Sequence, residues 1–466
     1  MERQRRDYAV VLGGSMAGLL AARVLAESYT DVTVIDRDEL TGVTSPRRGV
    51  PHGRHAHGLL ALGQQILEEE LPGLTADLIE AGVRTGDLSG DIRWYFNGRR
   101  LRPSHTGLVC VPATRPVLEH HVRMRVRAIP NVTFAERCDV LGLEATAGRD
   151  RITGVRVRWQ AGDGAEETEE VMEADLVVDA TGRGSRTPAW LEELGYSRPG
   201  EERVKIGLAY TTRHYRLSHN PFGTDLGIIP VATPAYPRGA FFYPLPGDRT
   251  RAELSLTGIL GDHPPTDPGG FLAYVRSLPV PEIFEAVRDA EPLDDPVTFR
   301  FPVSVRRRYE RLTRFPTGLL AIGDAVCSFN PVYGQGMTAA AIGAATLRRR
   351  LREEAQPQPR RFFHEVAAAL DAPWEISATS DLSYPEVVGR RTLKVRLINT
   401  YMACLQAAAV HDPSLTTALI RALGLIDSPM SLMRPDRVLR VLRNSRRRPG
   451  GRGEQRAVNA SARPAD

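Results

Sequence analysis

An apolar run at residues 8–12, a stretch at 17–26 with Leu20, Val24 and Leu25 at helical spacing, and a second apolar run at 32–35 predict strand, helix and strand in succession. Two such strands linked through a helix make a βαβ crossover, which requires the strands to be parallel. Further on, the run 92–96, the pair Asn97-Gly98 and residues 99–102 predict a tight hairpin. Alternating Val204, Ile206, Leu208 and Tyr210, with runs at 241–245 and 253–256 around Pro246-Gly247-Asp248, predict a larger antiparallel sheet. A short buried strand follows at 319–322, then an Ala-rich helix at 337–351 with arginines in its last turn, and helical periodicity at 361–370 and 396–410. From Arg446 the Arg/Gly/Pro/Ala-rich end reads as a disordered basic tail.

These patterns predict an α/β chain: a doubly wound, Rossmann-like domain, discontinuous in sequence, with an inserted antiparallel β-sheet substrate domain and a C-terminal helical cap. The first domain takes residues 1–86, 105–187 and 300–352, the inserted domain a small hairpin at 87–104 and the main body at 188–299. Residues 353–445 form the helical region and 446–466 the tail.

At 466 residues, 42% hydrophobic and 25% charged, the chain has the apolar material for a large core, which excludes wholesale disorder. A net charge of +5 over this length is no concentrated footprint of a nucleic-acid binder. Only Lys205 and Lys394 among the 61 basic side chains are lysines, which removes most candidate catalytic lysines. Cys110, Cys138, Cys327 and Cys404 are far apart and have no metal-ligand spacing, so no metal is expected and a reduced, cytoplasmic chain fits best. The basic start before residues 8–12 imitates a signal peptide, but Gly13, Gly14 and Gly18 interrupt it. No run approaches the ~20 apolar residues of a membrane span, so stable membrane insertion is not expected.

Gly13-Gly14-Ser15-Met16-Ala17-Gly18 lies between the first strand and helix, where backbone N–H groups and the positive end of the helix dipole can face a pyrophosphate. Ser15 replaces the middle glycine of G-x-G-x-x-G, and by itself the turn is compatible with NAD, FAD or S-adenosylmethionine. Asp36, at the end of the second strand, stands where an acidic side chain accepts bonds from an adenosine ribose; a turn-capping role is the plainer alternative. A Gly-x-Gly turn at a helix N-terminus, as at Gly334 and Gly336, presents N–H donors to a flavin edge, and both glycines leave room for that approach.

Asp175-Leu-Val-Val-Asp179-Ala-Thr-Gly182-Arg-Gly-Ser185-Arg186 and Gly323-Asp324-Ala-Val-Cys-Ser-Phe-Asn-Pro331-Val-Tyr-Gly334-Gln-Gly336-Met337, together with the N-terminal turn, resemble the three fingerprints of FAD-dependent monooxygenases related to p-hydroxybenzoate hydroxylase. More narrowly, Arg48-Gly-Val-Pro-His-Gly-Arg-His55-Ala-His57, the segment 179–185 and Phe329-Asn-Pro-Val-Tyr-Gly-Gln-Gly336 resemble bacterial polyether epoxidases and squalene-epoxidase-like flavoproteins. The resemblance covers about residues 7–350 and implies FAD as cofactor. It implies that Gly13, Gly14, Ser15, Met16, Ala17 and Gly18 hold the pyrophosphate and Asp36 the ribose; Arg47 and Arg48 can contact an FAD phosphate, with a solvated loop charge as the alternative for one of them. Arg115, in Thr-Arg-Pro-Val-Leu118, and Asp324 would take the pyrophosphate and ribityl region, with Pro331, Gly334, Gln335, Gly336 and Met337 against the isoalloxazine. Cys327 stands where many relatives have histidine, so a role tied to that histidine does not carry over.

The implied reaction inserts one oxygen atom from O2 into a small, largely apolar metabolite, by alkene epoxidation or hydroxylation through a flavin C4a-hydroperoxide. NADPH, NADH or reduced flavin from a partner reductase would supply electrons, since no second dinucleotide fingerprint is present. Epoxidation needs no side-chain base, whereas phenol hydroxylation gains from one; His55 and His57 are the candidates, with plain packing as the alternative. Trp94, Tyr95, Tyr210, Phe241, Phe242 and Tyr243 read either as pocket lining or as core, and Arg306-Arg307-Arg308 as a solvated face or a nucleotide-phosphate attractor. A flavin-dependent halogenase would need a lysine before Lys205 and a Trp-x-Trp-x-Ile-Pro segment, and neither occurs. An FAD-dependent reductase of an isoprenoid or polyketide-like substrate and a non-catalytic FAD-binding module remain as alternatives.

Overall fold

The computed structural model describes residues 6–160, 167–354 and 356–445, and the expected basic tail lies outside these. Strand Arg6–Leu12 pairs in parallel with Tyr29–Ile35 on one side and Leu176–Asp179 on the other. Val132–Ala135 and Leu319–Ala321 add the outer parallel strands, so segments from all three parts of the chain share one five-stranded sheet. Residues 9–12 and 176–179 are buried at every position, as strands covered on both faces must be. Helices Met16–Leu25, Arg115–Arg127 and Gln335–Glu353 pack on this sheet and on one another. A three-stranded antiparallel sheet, Cys138–Ala145, Ile152–Trp159 and Thr168–Glu173, contributes Ile152, Val155 and Val157 to the same core.

The second layer is a nine-stranded sheet. From the end nearest the parallel sheet it runs Cys327–Ser328, Val297–Arg307, Glu201–Arg216, Asp248–Gly258, Gly239–Leu245, Gly227–Val231, Ile92–Phe96 and Arg99–Arg100, and Glu291–Pro292 pairs with Glu201–Arg216. The Asn97-Gly98 hairpin forms, both turn residues at positive φ as the tight turn requires, and it joins this sheet through a parallel pairing of Ile92–Phe96 with Gly227–Val231. Helices Pro268–Arg276 and Pro281–Val287 cover part of the sheet around Phe222, Phe242 and Phe271. The two C-terminal helical predictions form longer helices, Pro359–Asp381 with Pro373 inside it and Leu393–Ala409. The latter packs with Pro413–Leu423 and Pro435–Ser445 over the hairpin end of the sheet. No helix among the described residues is long and apolar enough to cross a membrane.

Candidate functional site

The two sheets meet over a cavity of about 610 Å³, within the size range of small-molecule and cofactor sites. Ser15, Met16 and Ala17 reach it from the first Gly-rich turn, Arg115 from the start of its helix, 180–184 from the second motif, and Asp324, Pro331, Gly334, Gly336 and Met337 from the third. His52, His55, His57, Tyr210, Phe299 and Phe301 complete much of the wall.

Two helix N-termini converge here, and neither has a side-chain cap. Ser15 precedes helix Met16–Leu25 and Gly334 precedes Gln335–Glu353, and no side chain at either position accepts from the first N–H groups of its helix. Uncapped N–H groups and the positive dipole ends suit an anionic ligand such as a pyrophosphate. Local sequence explains the close geometry. A Cβ on Gly18 would stand 1.7 Å from the Gly13 carbonyl oxygen, so only glycine lets the helix lie against the turn. Gly334 sits at φ +66°, and a side chain there would meet the Gly58 backbone and Leu60 at 3.3 Å.

Ser15, in place of the usual glycine, joins a buried ionic cluster. Its hydroxyl donates to Glu119 Oε2 at 2.8 Å and accepts from Arg115 Nη2 at 2.8 Å. Glu119 also takes Arg47 Nη2 at 2.6 Å and Arg123 Nη2 at 2.9 Å. Burial by itself would raise the Glu119 carboxyl, but Arg115, Arg47 and Arg123 outweigh it and hold the group at about 2. Glu119 was not among the residues expected from sequence; the spacing Arg115, Glu119, Arg123 on one helix face is the signal that could have found it. Asp179 is likewise buried, accepting from Thr181, Ser185 and Thr187, and so folds the second motif's turn.

Several expectations are corrected. Of Arg47 and Arg48, Arg47 is the buried cation, and Arg48 is the exposed loop charge and does not line the cavity. Asp36 does not line the cavity either. Its carboxylate accepts from the Gly14 and Asp38 N–H groups at 2.7 and 2.8 Å and faces Arg47 at 3.5 Å, which fixes the turn and leaves further acceptor lone pairs on both oxygens. Gly13, Gly14 and Gly18 stand behind the wall as packing positions, and Gln335 is buried next to it. Of the six aromatics considered, Tyr210 alone lines the cavity, joined by Phe299 and Phe301, while Phe242 is core. The Arg306–Arg308 run is no solvated face: Arg306 is 2% exposed and bonded to Ala367 O and Asp371, and Arg308 pairs with Glu202. Arg307 lines the cavity, holding the Ala325 and Arg183 carbonyls.

The site is electrostatically mixed. Burial first, then the nearby Arg115, lowers His52 to about 3, and burial, Arg54 and His214 lower His55 to about 4. Burial, His52 and Arg115 put His57 well below its ordinary value, so all three imidazoles are neutral at pH 7. Burial raises Asp324, opposed by Arg183 and Arg115. Arg183 lies 4.2 Å above the Phe301 ring.

A glycine turn on a parallel sheet, two helix N-termini without side-chain caps and a distant Gly-Asp motif meeting in one cavity give the α/β fold seen in FAD-dependent monooxygenase structures. No family model matches the sequence. Protein Rv3254 of Mycobacterium tuberculosis is 34% identical over 435 residues, covering 91% of this chain and 90% of that protein. The chain belongs to the same family as that protein. Digeranylgeranylglycerophospholipid reductase 2 of Methanopyrus kandleri is 27% identical, covering 70% of this chain and 72% of its own. Kynurenine 3-monooxygenase of Salinispora arenicola is 28% identical, covering 72% and 70%. The flavin-dependent brominase Bmp2 superposes with a TM-score of 0.64 at 17% identity over 90% of this chain and 93% of its own. The p-nitrophenol 4-monooxygenase PnpA of Pseudomonas putida gives 0.63 at 13% over 92% and 100%. At such identities the two structures speak for the fold.

Proposed function

We propose that this chain is an FAD-dependent monooxygenase inserting one oxygen atom from O2 into a small, largely apolar metabolite. The observation that carries the reading is the convergence of the three motif segments on one cavity with two uncapped helix N-termini. The residues fit the cofactor. Gly13 and Gly18 hold a turn that no side chain would allow, and the helix start at Met16 with Arg115 offers N–H and guanidinium donors to a pyrophosphate. Asp324 would hold the ribityl hydroxyls, and the turn at Gly334, Gln335, Gly336 and Met337, with Pro331, would bed the isoalloxazine.

When bound, FAD supplies the oxygen activation. The chain binds the cofactor's phosphates, orients the substrate against Phe299, Phe301, Tyr210 and Met337, and keeps water from the reacting centre. NADPH, NADH or a partner flavin reductase delivers electrons in this reading, the site of action is cytoplasmic, and the sheet carrying 188–299 acts as the substrate domain. The narrower likeness to polyether epoxidases rests on the motif residues alone.

A visible absorption spectrum of the purified protein tests the cofactor: flavin bands are expected, and colourless protein that takes up no added FAD refutes it. Oxygen consumption coupled to NAD(P)H oxidation and product formation tests the reaction. The likeness to the Methanopyrus reductase favours a second reading, an FAD-dependent isoprenoid reductase, which would form product under anaerobic conditions.

A further inference from the structure

Helix Pro359–Asp381 lays one buried stripe along the third motif. Trp374, Ser377 and Asp381, spaced by three and four residues, fall on one helix face and are buried. The Trp374 ring lies 6.2 Å from that of Phe329, and about two turns further along the helix Asp381 reaches Asn330 and Tyr333. Asp381 Oδ1 accepts from Asn330 Nδ2 and from the Tyr333 hydroxyl, both at 2.8 Å. Burial first, then the nearby Asp381 carboxyl, holds the Tyr333 phenol well above its ordinary value, so the phenol is the donor. Asn330 in turn accepts the Val332 N–H on Oδ1 at 3.2 Å and so starts the short turn Pro331–Tyr333. One carboxyl oxygen thus grips this turn at both ends. Immediately after it Gly334 takes φ +66° and helix Gln335–Glu353 begins, and Pro331, Gly334, Gly336 and Met337 line the cavity.

Asp381 is placed against the local preferences of an acid. It is fully buried, its Oδ2 has no hydrogen-bond partner among the described residues, and no cation pairs with it there. It is also the last residue of its helix, where the dipole is negative and disfavours a further negative charge. Burial raises its carboxyl to about 6, against the opposing hydrogen bonds of Asn330 and Tyr333. An unpaired buried carboxyl at a negative helix end is destabilising, and side chains set against their local preference gather where function requires them. Both hydrogen bonds of this one go to the third motif.

We propose that Asp381 is a positioning residue for the cofactor: through Asn330 and Tyr333 it holds the turn 330–334 and the helix start at Gln335 in the shape that beds the flavin ring. This gives the C-terminal helical region a part in cofactor binding, and the inference rests on the FAD reading. A turn held in its bound shape before the cofactor arrives removes the entropy loss of ordering it on binding. The N–H groups at that helix start have no side-chain cap, and they favour the added negative charge of a reduced flavin over the oxidised ring. A loosened turn therefore weakens the hold on the reduced cofactor more than on the oxidised one. No proton or electron passes through Asp381 in this role.

Two variants at this position separate the hydrogen bonds from the charge. Asp381→Asn keeps the shape and an oxygen that accepts from Asn330 and Tyr333, whereas Asp381→Leu leaves both donors unmet. Both lack the carboxylate, so the difference between them reports the two hydrogen bonds. Titration of the apoproteins with FAD should give the Asn variant the wild-type affinity and the Leu variant an affinity at least about tenfold weaker. In the FAD-loaded proteins the two-electron potential of the Leu variant should lie about 30 mV below that of the Asn variant, a further tenfold loss on the reduced form. Tyr333→Phe removes one bond and keeps the ring; it should weaken FAD binding about fivefold, and it carries the test where the Leu variant does not fold. Asn and Leu variants that are equal in affinity or equal in potential overturn the assignment, and so does wild-type affinity in Tyr333→Phe. Wild-type protein that takes up no FAD fails the cofactor reading itself, before any variant is compared.

Discussion

Replacing Glu119 with glutamine removes one charge from the centre of a cluster that also holds Arg47, Arg115, Arg123 and Ser15. Glu119 is 3% exposed, so solvent screening is weak. Its carboxyl is held at about 2 in the folded protein, against an ordinary value of 4.5. At ~1.4 kcal/mol per pK unit, the folded-state preference for the ionised form contributes about 3 kcal/mol. The sign follows from a folded pKa lying below the unfolded one: the contribution is complete above pH 4.5 and is lost as pH falls toward about 2. Glu119→Gln should therefore lower the unfolding free energy by about 3 kcal/mol at neutral pH, in the range expected when one partner of a buried ion pair is removed. Urea denaturation of both proteins along a pH series measures this, and the gap should shrink by about half near pH 3. A neutral-pH deficit below about 1 kcal/mol, or a deficit that stays constant down to that acid limit, refutes the assignment. Because Ser15 and Arg115 hang on the same carboxylate, FAD affinity should fall in parallel with stability.

Asp324→Ala should abolish most FAD retention while leaving folded protein, since Asp324 is the carboxylate of the third motif that reaches the cavity; stoichiometric flavin in the purified variant would count against it. Gly334→Val places a β-branched residue at φ +66° against Gly58 and Leu60, and should weaken FAD binding at least about tenfold; titration of the apoprotein followed by flavin fluorescence reads this. His214, raised from 6.5 to about 9 because Asp294 and Glu253 outweigh burial, stabilises the fold fully below pH 6.5 and loses that contribution as pH rises through 9. His214→Gln should show a flatter stability profile across that window in the same urea series.

Much of the nucleotide-binding half was legible because its signals are local. The strand, turn and helix over residues 6–25 follow from an apolar run, glycines that permit close approach, and helical spacing, and each survives in the structure. The same holds for the Asn97-Gly98 turn, whose two residues take the positive φ values that dictated them. Arg48 and Asp36 show where this stops. Arg47 and Arg48 are chemically identical in sequence, and Arg47 is the buried one, paired with Asp36, Asp38 and, on a helix about seventy residues later, Glu119. Asp36 stands where a ribose-binding acid would stand, and only the folded turn shows that its oxygens also accept from the Gly14 and Asp38 N–H groups.

By itself, then, the chain determined its parallel strands, its glycine turns and the three motifs that must approach one another, because these depend on backbone conformation and short-range periodicity. Tertiary structure alone decided which charges were buried together and which aromatics faced the cavity. It alone lined up His55, Thr212, Ser255 and Glu253, since cross-strand register sets Thr212 beside Ser255 and a loop contact brings in His55 from more than 150 positions away, and neither leaves a mark on the local pattern.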